Sequence, residues 1–211
     1  MSTHIYAFGS VCRGDVSLDS DVDLLAIVDG RDERFNLDIF SVYSAERIHA
    51  LWNEGNPFAW HLALEARLLF STEPTDLLSC LGNPKPYQKC ADDCTKFANL
   101  FDEAHGSLLS QTSSTVFDLS MVFLSIRNIA TCFSLGITEQ PTFSRRSALE
   151  LGRDSTPLSE QAYQVLERAR VLCTRGYGPG LMRTETQAVL GELPAVKEWM
   201  TNLVRRVEEH E

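Results

Sequence analysis

Positive charge is scarce in this chain: 19 Lys and Arg stand against 29 Asp and Glu, a net charge of −10 over 211 residues. A surface built for nucleic acid needs clustered Lys and Arg to meet phosphates, so the balance argues against one. Any anionic ligand must be held locally, by metal or by backbone amides, and an acidic pocket would suit a cationic acceptor. Long apolar runs are missing as well. None reaches the ~20 residues that crossing a bilayer requires, and no membrane span is expected. The opening MSTHIYAFGS lacks the basic and apolar regions of a secretory leader. With six scattered cysteines (Cys12, Cys80, Cys90, Cys94, Cys132, Cys173), this suggests a reducing cytoplasm. Cys90 and Cys94 form a CxxxC pair, but no second pair and no HxxxH stands at zinc-ligand spacing, so the thiols read as core or surface groups. Internal repeats and low-complexity tracts are also absent.

What is present is the composition of an ordinary globular protein, 44% hydrophobic and 23% charged. The character changes near residue 75. Before it, strand-like runs IYAF (5–8), VDLLAIV (22–28), FNLDIFSV (35–42) and RLLFS (67–71) alternate with helical ones. The stretch STEPTDLLSCLGNPKP (71–86) reads as a linker. Beyond it only helical periodicity is found. Val116, Leu119, Phe123, Ile126, Ala130 and Phe133 form one stripe, with Ser113 or Ser114 to cap the helix and Gly136 to end it. Leu158, Ala162, Val165, Ala169 and Leu172 form a second stripe, and Val196, Trp199, Met200, Leu203 and Val207 a third. The expected fold is α+β: a mixed sheet with helices over residues 1–75, then an all-α bundle over 86–211.

The chemistry is concentrated in IYAFGSVCRGDVSLDSDVDLLAIV. Gly9 and Ser10 follow an apolar strand, where glycine lets a phosphate approach the backbone and the turn's N–H groups can cradle it. Asp21 and Asp23 stand two apart at the start of the next strand, so both carboxylates point the same way and their repulsion calls for a cation. Hard oxygen donors of this kind suit Mg²⁺ together with substrate phosphates. A third acid follows by parity. With Phe35, Leu37 and Ile39 as the core face of FNLDIFSV, Asp38 lies on the opposite face. A hairpin of strands 22–28 and 35–42 through DGRDER would then set Asp38 opposite or diagonal to Asp23.

The whole pattern, Gly-Ser, ten residues (11–20), then Asp-x-Asp, with LDIF after it, resembles the DNA polymerase β type nucleotidyltransferase superfamily. The likeness is strongest to the minimal nucleotidyltransferases and the aminoglycoside adenylyltransferases, and covers residues 1 to about 72. The resemblance implies that Gly9 and Ser10 bind the triphosphate of ATP or another nucleoside triphosphate. Asp21 and Asp23 would hold two Mg²⁺ ions, Asp38 would be the third acid, and Arg13 would touch the γ-phosphate. It also implies in-line attack of an acceptor hydroxyl on the α-phosphorus, with pyrophosphate leaving.

The segment from Ser125 to Leu172 resembles the helical substrate domain of streptomycin/spectinomycin type adenylyltransferases. Some related helical domains are ribonucleases with Arg and then His on one helix. Here no histidine follows Arg127 within reach, which argues against that activity. A glutamate serves as base in the adenylyltransferases, and Glu65, Glu103 and Glu150 are candidates, each of which can equally be a helix-surface acid. His49 and His61 read as structural or surface residues. Arg127 and Asn128 either line a cleft or satisfy backbone. The acceptor hydroxyl is expected on a small molecule such as an aminoglycoside. Two rivals are a protein acceptor, as for antitoxin-like AMPylating transferases, and a non-catalytic nucleotide-binding or interaction protein. The sequence leaves a homodimer open.

Overall fold

The computed structural model describes residues 2–15, 22–30, 34–111, 114–138 and 140–210. The chain divides into two compact units, Met1–Gln88 and Lys89–Glu211.

The first unit runs β1 (Thr3–Phe8), α1 (Ser10–Arg13), β2 (Asp23–Val28), β3 (Phe40–Tyr43), α2 (Ala45–Asn53), α3 (Pro57–Glu65), β4 (Arg67–Ser71) and α4 (Leu77–Leu81). Its sheet has the order β3-β2-β1-β4. β1 is antiparallel to both β2 and β4, whereas β2 and β3 are parallel, so the sheet is mixed. Alternation puts Tyr6 and Phe8 of β1 on the same side as Leu25 and Ile27 of β2, where they pack with Ile48, Leu51, Trp52, Ala59 and Leu62 of α2 and α3. Both helices begin on caps that the sequence supplies. Ser44 accepts a hydrogen bond from the Arg47 amide, and Asn56 accepts one from Phe58, with Pro57 in the first turn of α3.

Tyr6 ties the sheet to α4. Its hydroxyl donates to Asp76 Oδ1 at 2.7 Å and accepts from the Leu78 amide at 3.1 Å. Burial pushes the phenol pKa well up, and the Asp76 charge adds to the rise. Burial also opposes the Asp76 charge. The hydroxyls of Tyr6 and Ser79 and the amides of Ser79 and Leu78 more than offset it, so the carboxyl titrates below its ordinary value.

The connection expected as a linker is docked on its own unit. The Trp52 indole donates to Gly82 O at 2.9 Å and the Trp60 indole to Lys85 O at 3.0 Å, while Lys85 N donates to Trp52 O at 3.0 Å. Gly55, at φ 61°, lies so close beneath Lys85 O and Pro86 O that any β-carbon would collide with them. The strap therefore demands glycine on both backbone and steric grounds.

The third strand corrects the expected hairpin. Residues 34–39 are not strand: Ile39 N and Phe40 N both donate to Asn36 O, at 3.0 and 2.9 Å, and Asp38 N donates to the Asn36 side chain at 2.9 Å. Asn36 thus organises a turn, as its side chain favours. Leu37 and Ile39, expected in the core, are 77% and 57% exposed. Strand begins only at Phe40 and runs parallel to β2, Leu24 beside Phe40 and Ala26 beside Val42.

The second unit is helical. α5 (Cys90–Ser110), α6 (Thr115–Ile137), α7 (Glu160–Arg175) and α8 (Arg183–Glu208) are joined by two short 3-10 turns, Ser147–Leu149 and Gly152–Asp154, and by loops. α6 packs against α5, α7 and α8. Five of the six stripe residues, Leu119, Phe123, Ile126, Ala130 and Phe133, are buried, and Val116 is half-buried. By length and apolar composition alone this 23-residue helix could cross a bilayer, yet most of its apolar window is buried within the protein. α8 starts at Arg183, well ahead of the stripe that opens at Val196, and carries Pro194 inside. Of the two expected caps of α6, Ser114 occupies the N-cap position and Ser113 lies outside the described residues.

Candidate functional site

The site is built at one end of the first unit's sheet. β1 and β2 are antiparallel with Phe8 beside Asp23, so the turn leaving β1 and the residue opening β2 share an edge. Gly9 is buried and adopts φ 77°, ψ −150°, a conformation that residues with side chains avoid. The Asp23 carboxylate occupies the place a β-carbon on Gly9 would need. The close approach that the sequence asks of Gly9 is thus made first by this protein's own carboxylate. Asp23 itself is exposed. Its charge is therefore not buried, and the cost of desolvating a carboxylate does not arise there.

α1 follows at once. Gly9 O accepts from Cys12 N at 3.1 Å and Arg13 N at 3.3 Å, which closes the chain into a single helical turn begun by Ser10 and ended by Gly14 in the left-handed region. Arg13, the last residue of that turn, donates through Nε to Asp15 at 3.1 Å and through Nη1 to Glu65 Oε2. Glu65 is the last residue of α3, and the same oxygen lies 2.8 Å from His61 Nε2 one turn earlier. The His61 ring packs edge-on against Phe8, with centroids 5.4 Å apart. Sequence reading left Glu65 and His61 as separate helix residues, although their i, i+4 spacing marks them as neighbours on one face.

Asp21 lies outside the described residues. Asp38 stands in the exposed turn before β3, so the antiparallel argument that paired it with Asp23 does not hold. The parallel pairing of β2 and β3 starts just after both residues. Asp23 precedes Leu24 by one residue, Asp38 precedes Phe40 by two, and Leu24 and Phe40 are partners. Among the described residues no group of three or more His, Cys, Asp or Glu is placed to hold a metal ion.

The helical unit's candidates have other partners. Glu150 accepts from the hydroxyls of Thr142 at 2.7 Å and Ser144 at 2.8 Å. Arg127 donates to Phe143 O at 3.0 Å and Ser144 O at 3.4 Å, and so satisfies backbone carbonyls. Glu103 is exposed on α5.

A family model for the nucleotidyltransferase domain matches residues 2–78. The matched span takes in the whole sheet, the Gly9 turn, Asp23, Asp38 and the Arg13–Glu65–His61 group. Domains of this type generally use a nucleoside triphosphate and a divalent metal, and the match supports nucleotidyl transfer as the class of activity. The helical unit lies outside the match. No curated protein matches the chain.

Proposed function

We propose that the chain moves a nucleoside monophosphate, AMP from ATP, to a hydroxyl of a small molecule of the aminoglycoside class. The observation that carries this reading is the Asp23 carboxylate seated against Gly9 at the sheet's edge, within the span of the nucleotidyltransferase match. An exposed carboxylate of this kind is a hard oxygen donor of the type a divalent cation takes alongside substrate phosphates. Asp21 and Asp38 would join Asp23 as donors in the proposed set. When bound, two Mg²⁺ ions supply positive charge to the leaving oxygens and lower the pKa of the attacking hydroxyl.

The chain's own residues do the rest. The amides of the Gly9–Ser10 turn hold the triphosphate, and Arg13 sets a guanidinium against its terminal phosphate. With the donor fixed, the acceptor oxygen bonds to the α-phosphorus while the bond to the bridging oxygen of pyrophosphate breaks. The hydroxyl proton passes to a carboxylate base, and pyrophosphate departs. A net charge of −10 supports a cationic acceptor over an anionic one. The reading places the chain in the cytoplasm, where ATP and magnesium are supplied.

Incubation with Mg²⁺, α-labelled nucleotides and an aminoglycoside panel tests the proposal. Labelled aminoglycoside is expected, abolished by EDTA and by Asp21→Ala or Asp23→Ala. Full activity in either variant would remove that residue from the metal set, and absence of both transfer and a thermal shift with Mg²⁺ and ATP would sink the reading.

A further inference from the structure

Arg13 is held from both sides. Its Nε is paired with Asp15, whose side chain is 59% exposed, and its Nη1 with Glu65, whose side chain is 11% exposed. Glu65 in turn takes its second contact from His61, 14% exposed, whose ring rests against the last residue of β1. Water screens the Asp15 contact, so it does little to fix a long side chain. The Glu65 contact is the sheltered one, and its carboxylate cannot swing away, because His61 holds the same oxygen from one helical turn earlier.

Resting on the transferase reading, we infer that Glu65, steadied by His61, is a positioning residue that fixes the Arg13 guanidinium beside the Gly9–Ser10 turn. It is not the base that takes the acceptor's proton. An arginine left free would lose the freedom of its whole side chain on meeting a triphosphate. One already restrained by α3 loses less, and the difference appears as nucleotide affinity. That Glu65 oxygen already has Arg13 and His61 as its partners, which engages it in holding the guanidinium.

The experiment measures Mg²⁺–ATP affinity by calorimetry, which needs no acceptor. Glu65→Gln keeps the shape and removes the charge; it is expected to weaken binding about fivefold, the scale of one ordinary hydrogen bond. His61→Leu should weaken it in the same direction, and His61→Gln, whose amide can reach where Nε2 does, should restore it to within about twofold. In an Arg13→Ala background Glu65→Gln should add nothing, because its effect passes through Arg13. Melting temperatures taken alongside separate folding from positioning, and the His61 pair carries the test if Glu65→Gln unfolds. An undiminished effect in the Arg13→Ala background overturns the inference. So does unchanged or tighter binding, or a collapse of turnover at unchanged affinity. A wild-type chain that binds no Mg²⁺–ATP overturns the transferase reading itself, whereas wild-type binding indifferent to both Glu65 and His61 overturns only this one.

Discussion

The Asp23 carboxylate fills the space beside the Gly9 α-carbon, and the two residues constrain each other. Gly9→Ala must both hold a positive-φ conformation that is essentially glycine's alone, at about 1–3 kcal/mol, and push Asp23 off its seat. We expect a melting-temperature loss and a fall in nucleotidyl transfer of about 10²-fold, the scale seen when a reacting constellation is displaced by about an ångström. Asp23→Gly in the Gly9→Ala background should recover only the part of the stability lost to the clash, the backbone strain remaining, which calorimetry would register, and leave transfer lost.

Gly55→Ala tests the strap in the same unit. With φ 61° and the carbonyls of Lys85 and Pro86 directly above, alanine should cost about 1–3 kcal/mol. Trp60→Phe, which leaves Lys85 O without its indole partner, should cost about 1 kcal/mol. Urea titration followed by tryptophan fluorescence checks Gly55→Ala, and circular dichroism checks the Trp60 variant.

Acid stability should depend on Asp76. Its carboxyl is depressed in the fold, so its contribution is fully present above the unfolded value near 3.9 and is lost as pH falls through the lower folded value. Asp76→Asn can still cap α4, but its stability should show less acid dependence. The wild-type advantage at neutral pH should therefore shrink as the pH is taken below about 4. Equal pH dependence of the two melting curves would contradict the assignment.

The cysteines should separate by reactivity. Cys80 and Cys173 are exposed, Cys12 is half-buried, and Cys90, Cys94 and Cys132 are buried. The hydrogen bond with Cys90, together with burial, raises the Cys94 thiol pKa far above its ordinary value. Maleimide labelling read by mass spectrometry should modify Cys80 and Cys173 first and reach Cys90, Cys94 and Cys132 only on unfolding.

The elements whose pattern is local were legible in the sequence. β1, β2, β4 and the α6 stripe announce themselves by period, and Gly9 and Asp23 by residue type at a recognisable spacing. FNLDIFSV misled for a physical reason. Phe35, Leu37 and Ile39 alternate as a strand would, but Asn36 offers its side chain and carbonyl to the following amides, and the turn it builds outweighs the alternation. Strand direction then depends on where the chain goes between Val28 and Phe40, which no period encodes. The Arg13–Glu65 pair was invisible for a similar reason: it joins residues 52 positions apart through tertiary packing. Half of it, His61 with Glu65, could have been found from helical spacing alone.

β1 lies between β2 and β4, with His4 beside Ile27 on one side and beside Ser71 on the other. During synthesis the strand that carries the Gly9 turn therefore emerges well before its second neighbour exists. The phosphate turn is made early and framed late. A nascent chain stalled ahead of β4 would present β1 with one edge bare, a surface that chaperones or stray strands can engage.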